Sequence, residues 1–484
     1  MSKLITQSNE NSAQTLFVQG NEALRNGDYS KAITLYAKVV AQNSDFPKYL
    51  ATNLSIARGK YRLSREEVLK TNVGVCGWDL AHNAAGRVYT LASLYDNFAH
   101  AEIIGSIFPC HGRDIWEPIR DTSIAKHVFI VEDESKFIEQ AIEFVAERPY
   151  DILHLSKPRI ANIFFGILYK LIWGAKVLID IDDEELAFVD AETPLSIDNY
   201  INQYGKLPEL RNLHGKDWTR LAVGLIHMFD GRTVANHALQ QRYGGQIVCH
   251  ARNEAYFQHS PQQRQAIRTR FGIAPDTKVI LFLGTPRSHK GLVETAQAIA
   301  RLNRRDIVFA IVGDFPDESL KAQLQAITGV NYIFIGNKPI TDVPEIISIG
   351  DVCVLLQEFQ STAARFQTPA KLSDALASGL PVLATVTPAL ADAFKAGALL
   401  PINQDNLAEQ LTRVLDNEDT AQSLCQNEFD FFRRELSFAA NVPRLSQVVK
   451  KNENKPLSTD VDALDRYIFD ELFSTYRRFT RAKT

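Results

Sequence analysis

The chain has 484 residues, too many for one hydrophobic core, so two to three domains are expected. Apolar residues make up 45% and charged residues 23%, the balance of a soluble globular protein, and the formal net charge of −4 gives no reason to expect nucleic-acid binding. Five cysteines (Cys76, Cys110, Cys249, Cys353, Cys425) are scattered with no CxxC pair, which reads as reduced, buried thiols rather than a disulfide scaffold. The opening MSKLITQSNENSAQ lacks the apolar core of a signal peptide. The longest apolar run, Ile163 to Val177, is interrupted by Tyr169, Lys170 and Gly174 and suits a helix–strand pair, so a cytoplasmic location is expected.

Residues 1–70 read as a separate helical unit. Gln14 to Asn43 has helical periodicity broken at Gly27 to Tyr29. Gly20, Ala32 and Tyr36 fall at the small, small and aromatic positions of a tetratricopeptide repeat, which this hairpin resembles; a plain helical hairpin is the alternative. One repeat, partly continued through Phe46 to Leu63, cannot bury its own face. It is expected to pack on the next domain or on another subunit, and residues 14–63 are a candidate surface for a protein partner or self-association.

Residues 71–246 form a first α/β region. The strand NVGVCGW is followed by the small-residue loop Asn83 to Gly86, with helix from Arg87 onward. His82 in that loop is the preferred cleft histidine, and His154 falls inside a predicted strand. Further strands are expected at Ala101 to Ile107, Tyr150 to Leu155, Lys176 to Ile181 and Gly231 to Ala235. Strands alternating with helices imply a parallel sheet. The Tyr150 to Leu155 strand ends in the polar loop Ser156-Lys157-Pro158-Arg159, and the Lys176 to Ile181 strand in an acidic cluster of Asp180, Asp182, Asp183, Glu184 and Glu185. That cluster has three readings: a divalent-metal site, acceptor recognition or deprotonation at Asp182 or Asp183, or acidic first-turn residues at a helix start.

Residues 247–450 form a second α/β region. His250, Arg252 and Glu254 occupy the interdomain segment, where a donor-side contact is expected. The strand KVILFLG (Lys278 to Gly284) leads into the basic loop Thr285 to Gly291 and then a helix, a phosphate-type arrangement with Arg287 and Lys290 as cations. VFAIVGD (Val308 to Asp314) is a strand ending in Gly313, and DVCVLL (Asp351 to Leu356) is another. Then comes QTPAKLSDALASGLPVLAT (Gln367 to Thr385). Thr368 is expected to N-cap a helix with Pro369 in its first position, Gly379 to end it, and Val382 to Thr385 to form a buried strand. Lys371 and Asp374 share one face of that helix. A helix start with a lysine in its first turn suits a diphosphate, and the aspartate suits sugar or ribose hydroxyls.

These four pieces, in this order, resemble the C-terminal domain of glycosyltransferase family 4 over Lys278 to about Lys450, and the 71–246 region resembles the N-terminal half of a GT-B enzyme. The resemblance implies the GT-B fold: two Rossmann-like parallel-sheet domains facing across a cleft. It implies a retaining, metal-independent transferase with no cofactor beyond a nucleotide-diphosphate sugar as co-substrate. It assigns the diphosphate to Arg287 and Lys290, and the ribose to Asp374. Donor contacts are expected from Gly284, Gly313, Phe366, Gln367, Thr368, Pro369, Ala370 and Lys371. The acceptor side is expected at His82, Asn83, Gly86, Arg87, Asp182 and Asp183. Many members carry two glutamates eight residues apart; here the second position holds Asp374, a shorter carboxylate, and the first holds Phe366, which cannot serve. Arg287 also lies further from Gly284 than the usual family arginine.

The expected reaction is sugar transfer to a glycan, lipid-linked glycan or protein acceptor in bacterial surface polysaccharide or glycoconjugate synthesis. A non-catalytic scaffold on a decayed transferase fold is the alternative. A sugar epimerase or phosphorylase is a further one, and no pyridoxal-bearing lysine site is evident for the latter. Residues 451–484 are a polar linker and an amphipathic helical pattern from Val461 to Thr484 with a basic end. That segment is expected either to cross back over the N-terminal domain or to touch an anionic membrane at its inner face.

Overall fold

The computed structural model describes residues 2–42, 50–65, 71–357 and 362–453. Two parallel sheets carry the fold. The first contains β1 (Asn72–Gly77), β2 (His100–Ile107), β3 (Lys126–Ile130), β4 (Ile152–Ser156), β5 (Lys176–Ile181), β6 (Gly231–Val234) and β7 (Gln246–Ile247), in the order β3-β2-β1-β4-β5-β6-β7. The second contains β8 (Lys278–Leu283), β9 (Ile307–Val312), β10 (Asn331–Ile335), β11 (Val352–Leu355), β12 (Val382–Thr385) and β13 (Leu400–Ile402), in the order β10-β9-β8-β11-β12-β13. Central strands such as β4, β11 and β12 are buried along their whole length, because helices cover both faces of a parallel sheet. The strands that the sequence pattern did not reveal are β3, β7, β10 and β13. Each lies at or next to a sheet edge, is short or partly exposed, and so lacks a continuous apolar run.

In each sheet the chain order reverses beside the first strand: β1 lies between β2 and β4, and β8 between β9 and β11. Open α/β sheets bind ligands outside the carboxyl ends of the strands at such a switch point. The loops after β1, β4, β8 and β11 meet there, across the cleft between the two domains.

Helices Ser2–Arg25, Tyr29–Ala41 and Leu50–Arg65 form a layer on the far side of the first domain. Asp28 caps the second of them by accepting from the Lys31 N–H. Ala32, Ile33, Tyr36 and Ala37 are wholly buried, and a Cβ at Gly20 would come within 2.6 Å of the Tyr36 ring. Of the two seats expected for this unit, it takes the next domain. Thr34 donates to the Ala146 carbonyl (2.7 Å), Arg58 to the Leu171 carbonyl (2.8 Å), and Arg65 pairs with Asp151 (2.8 Å).

The chain crosses between the domains twice, side by side. The Arg252 N–H donates to the Leu436 carbonyl and the Arg252 carbonyl accepts from the Phe438 N–H, both at 2.9 Å. The second crossing leaves a π-helical turn at Phe432–Leu436 and enters helix Phe438–Glu453. Leu445, Val448 and Val449 of that helix belong to the same core as Val73, Val75 and Leu91 of the first domain. The returning helix is therefore this one. The 461–484 segment, for which the sequence suggested either this crossing or a membrane contact, lies outside the described residues.

A buried polar network ties the first domain together. The Arg87 guanidinium grips both oxygens of Asp180 at 2.8 Å and donates to the carbonyls of Val248 (2.7 Å) and Cys249 (2.8 Å). Thr233 donates to the same carboxylate (2.6 Å), and His154 bridges Thr233 (3.0 Å) and Tyr95 (3.1 Å). Burial holds His154 neutral, with its pKa pushed down to about 4. Removing one partner of such a pair leaves an uncompensated buried charge. Arg87→Met or Asp180→Asn is expected to lower the unfolding free energy by about 3–5 kcal/mol in urea titrations; a loss below about 1 kcal/mol would show that the pair is not a structural tie.

Candidate active site

The C-terminal wall of the cleft is built at the ends of β8, β9 and β11. Gly284 and Gly313 both adopt positive φ (114° and 127°), and a Cβ at Gly313 would sit 2.5 Å from the Gly284 carbonyl oxygen. Only glycine lets these two strand ends lie so close. The loop then turns through Ser288–Lys290 into helix Leu292–Leu302. Arg287 is exposed and Lys290 half-buried, and both line the cleft. Burial, reinforced by Arg287, lowers the Lys290 pKa, while Asp183 across the cleft opposes the shift.

Helix Ala370–Ala377 faces the same space. Its N-cap residue is Pro369, not Thr368, and no side chain caps it. The Thr368 hydroxyl is engaged elsewhere: Asn236 Nδ2, at the start of helix His237–Tyr243, donates to it (3.0 Å) and to the Phe366 carbonyl (2.7 Å). The first N–H groups of Ala370–Ala377 are thereby left without a side-chain acceptor, as an anion site requires. Gly379, at φ 63°, follows the helix end as its sequence position predicts. The Lys371 ammonium lies 3.6 Å from the centroid of the Phe282 ring. Burial, followed by repulsion from Lys290, lowers its pKa to about 7. Among the described residues, none of Arg287, Lys290 and Lys371 is in an ion pair.

Asp374 also lines the cleft, but its carboxylate is held by Arg252, whose Nε and Nη2 donate to its two oxygens. A ribose hydroxyl would have to share that carboxylate with the guanidinium. Phe366 departs further from expectation. It is not among the cleft-lining residues, and its ring lies under Arg242, 5.5 Å from the guanidinium. Gln367 does line the cleft and crosses it, donating to Asp183 at 2.9 Å.

The N-terminal wall carries His82, Asn83, Gly86, Asp182 and Asp183, with Arg87 behind them. Arg87 was expected on the acceptor side. It is only 3% exposed, and its guanidinium is committed to Asp180 and two backbone carbonyls, so it acts as a strut of the wall. Burial lowers the His82 pKa, favouring the neutral imidazole. His250 is buried, and its pKa falls well below the usual range through burial and then Arg87 and Arg252.

The acidic cluster divides three ways. Asp180 turns inward to Arg87. Glu184 accepts from Tyr243 (2.6 Å) and pairs with Arg242 (2.5 Å). Asp182, Asp183 and Glu185 surround Lys157, with its ammonium 2.7, 2.5 and 3.5 Å from their oxygens, and Glu185 also pairs with Arg159. These three carboxylates have metal-like spacing, but the ammonium already stands among them. Burial raises the Asp182 pKa against the pull of Lys157, with Asp183 and Asp180 adding to the rise. Lys157 reaches this place from a left-handed backbone (φ 76°), a costly conformation for a residue with a side chain. The sequence offered one signal for Lys157: a lysine at a strand end opposite four carboxylates.

Residues 263–430 match the family model described as Glycosyl transferases group 1. Among solved structures the chain is similar to Alr3699/HepE of Anabaena in complex with UDP and glucose (TM-score 0.60, 14% identity, 79% of this chain and 100% of that one). It is also similar to sucrose-phosphate synthase from Thermosynechococcus elongatus (TM-score 0.57, 15% identity, 79% and 99%). A third is WaaG, a glycosyltransferase involved in lipopolysaccharide biosynthesis (TM-score 0.51, 15% identity, 78% and 99%). At these identities the likeness establishes the fold, which is GT-B. No curated protein matches the chain.

The Lys371 pKa has a measurable consequence. The diphosphate of a nucleotide sugar keeps its charge through neutral pH, whereas a lysine titrating near pH 7 loses its own as pH rises. A bound diphosphate favours the charged form, so binding takes up a proton around pH 7–8. Affinity for a diphosphate ligand should therefore fall from pH 6 to pH 9, and calorimetry in buffers of different ionisation enthalpy should show the uptake. Lys371→Met, which removes a desolvated charge, should melt no lower than the parent at pH 6 yet lose the pH-dependent part of binding.

Proposed function

We propose that the chain is a retaining glycosyltransferase that moves a sugar from a nucleotide-diphosphate sugar to a hydroxyl of a glycan-type acceptor, without a metal at the diphosphate. One observation carries this reading. Arg287, Lys290, Lys371 and the uncapped start of helix Ala370–Ala377 converge on the cleft, while the carboxylates of the opposite wall are neutralised by Lys157 and Arg159. A site with surplus positive charge on one wall suits an anion, and cations placed where a leaving diphosphate gains charge lower the barrier to its departure. The sugar then faces His82, Asn83, Asp182 and Asp183, where the acceptor hydroxyl approaches. Attack from the face that the diphosphate leaves, with a phosphate oxygen taking the acceptor proton, needs no second free carboxylate, in keeping with Phe366 at the position of the missing one.

The HepE complexes with UDP and with UDP-glucose make UDP-glucose the first donor to try, and WaaG makes a lipid-linked or surface glycan the first acceptor class. No helix among the described residues is long and apolar enough to cross a membrane. We place the reaction in the cytoplasm, with the basic 461–484 segment as its contact to the inner membrane face. The N-terminal helices are read as a tetratricopeptide-like layer whose exposed Val18, Ile56 and Leu63 face a protein partner. The scaffold reading keeps one specific support: Asp374 is occupied by Arg252.

Thermal shift against UDP, GDP and ADP and their sugars, with and without magnesium, separates these readings. The expected outcome is a rise in Tm with one nucleotide family, independent of magnesium, and a product whose anomeric configuration matches the donor. Lys290→Ala and Arg287→Ala should each cut kcat/KM by at least about tenfold with unchanged melting. Normal folding with no shift from any nucleotide would favour the scaffold.

A further inference from the structure

Beside the cleft, behind the His82 edge that the proposed transfer uses, lies a second group of side chains. Asp79, wholly buried, follows β1 and Trp78. Its Oδ1 accepts from the N–H groups of Ala81 (3.0 Å) and Phe108 (3.4 Å), which turns Oδ2 toward two imidazoles. His111 Nδ1 lies 2.6 Å from Oδ2 and His82 Nε2 lies 3.7 Å from it. One ligand atom from each of the three residues falls within 4.8 Å of the others. His82 Nε2 is enclosed and makes no hydrogen bond, while His82 Nδ1 accepts from the Ala84 N–H (3.3 Å) and lies 3.1 Å from Asn83 Oδ1. The Cys110 sulfur is 3.6 Å from His111 Nδ1, and His214 Nε2 is 3.9 Å from that sulfur.

We propose that Asp79, His82 and His111 bind a divalent transition metal, zinc foremost. Zinc bonds of about 2.0–2.1 Å to nitrogen and oxygen set neighbouring ligand atoms of a tetrahedron about 3.3 Å apart. The observed 2.6 and 3.7 Å bracket that edge. A zinc–sulfur bond of about 2.3 Å gives a sulfur–nitrogen edge of about 3.6 Å, which is the separation of Cys110 from His111 Nδ1. Imidazole with one carboxylate is a donor set for zinc rather than for magnesium or calcium. One outer support of such a site is in place: the backbone donors that orient Asp79. The other acidic group with metal-like spacing, around Asp183, encloses Lys157 and is not a rival. The metal fastens the loop after β1 to the loop after β2, and so fixes the His82 edge of the cleft. It lies apart from the cations assigned to the diphosphate and does not depend on the transferase reading.

The test uses the untagged full chain, stripped with chelator and titrated with zinc by calorimetry, with cobalt as a spectroscopic substitute. The expected result is one zinc per chain, a higher Tm with zinc, and the visible absorption of tetrahedral cobalt. His82→Ala and His111→Ala should each weaken zinc binding at least about tenfold while the metal-free variants melt as the parent does. Both sites are partly exposed, so folding is retained. Asp183→Asn should bind zinc as the parent does. Absence of stoichiometric zinc in the parent, or unchanged affinity in both histidine variants, would overturn the proposal.

Discussion

The pairing of Arg87 with Asp180 sets the position of nearly every group on the N-terminal wall. Two charges with almost no exposure are tolerable only when all their hydrogen bonds are made at once. Here those bonds join the helix that starts at Ala85, strand β5 and the interdomain connection at Val248 and Cys249. The groups facing the cleft are short extensions of these anchored points. Gly86 precedes Arg87, Asp182 comes two residues after Asp180, and His250 follows Cys249. A shift of the buried pair would move all of them together.

Charge is distributed unevenly across the cleft. On the N-terminal wall, Lys157 and Arg159 already balance Asp182, Asp183 and Glu185. On the C-terminal wall, burial lowers the pKa of both lysines; Arg287 adds to the shift at Lys290, which Asp183 opposes across the cleft, and Lys290 adds to the shift at Lys371. On the proposed reading, the cost of burying these cations without an ion pair is offset by a doubly charged ligand. That makes the C-terminal wall poorly optimised for stability and well arranged for a diphosphate.

The C-terminal wall was readable in the sequence because its chemistry is local. A strand, a glycine and a basic loop occur within thirteen residues of Lys278, and Lys371 and Asp374 share one helical turn. What escaped was long-range. Arg252 reaches Asp374 across 122 positions, and Asn236 takes the Thr368 hydroxyl across 132, which cancels the expected cap. No local pattern reports such a partner. Arg87 illustrates the same limit in reverse. Its place beside a small-residue loop suggested a ligand contact, but a carboxylate 93 positions away had already claimed it. The pairing of His82 with His111 was hardest to read, since they come from loops after different strands and are brought together only by the fold.

The paired crossings at Arg252 and Ser437 shape how the two halves can move. Two straps lying side by side form a joint with one soft axis, along the line that joins them. Rotation about that axis stretches neither strap, whereas twisting or sliding one half past the other strains both. The gap can therefore widen and narrow while the lateral alignment of its faces persists. Asp183 and Gln367, which join the two faces at 2.9 Å, would meet again at every closure.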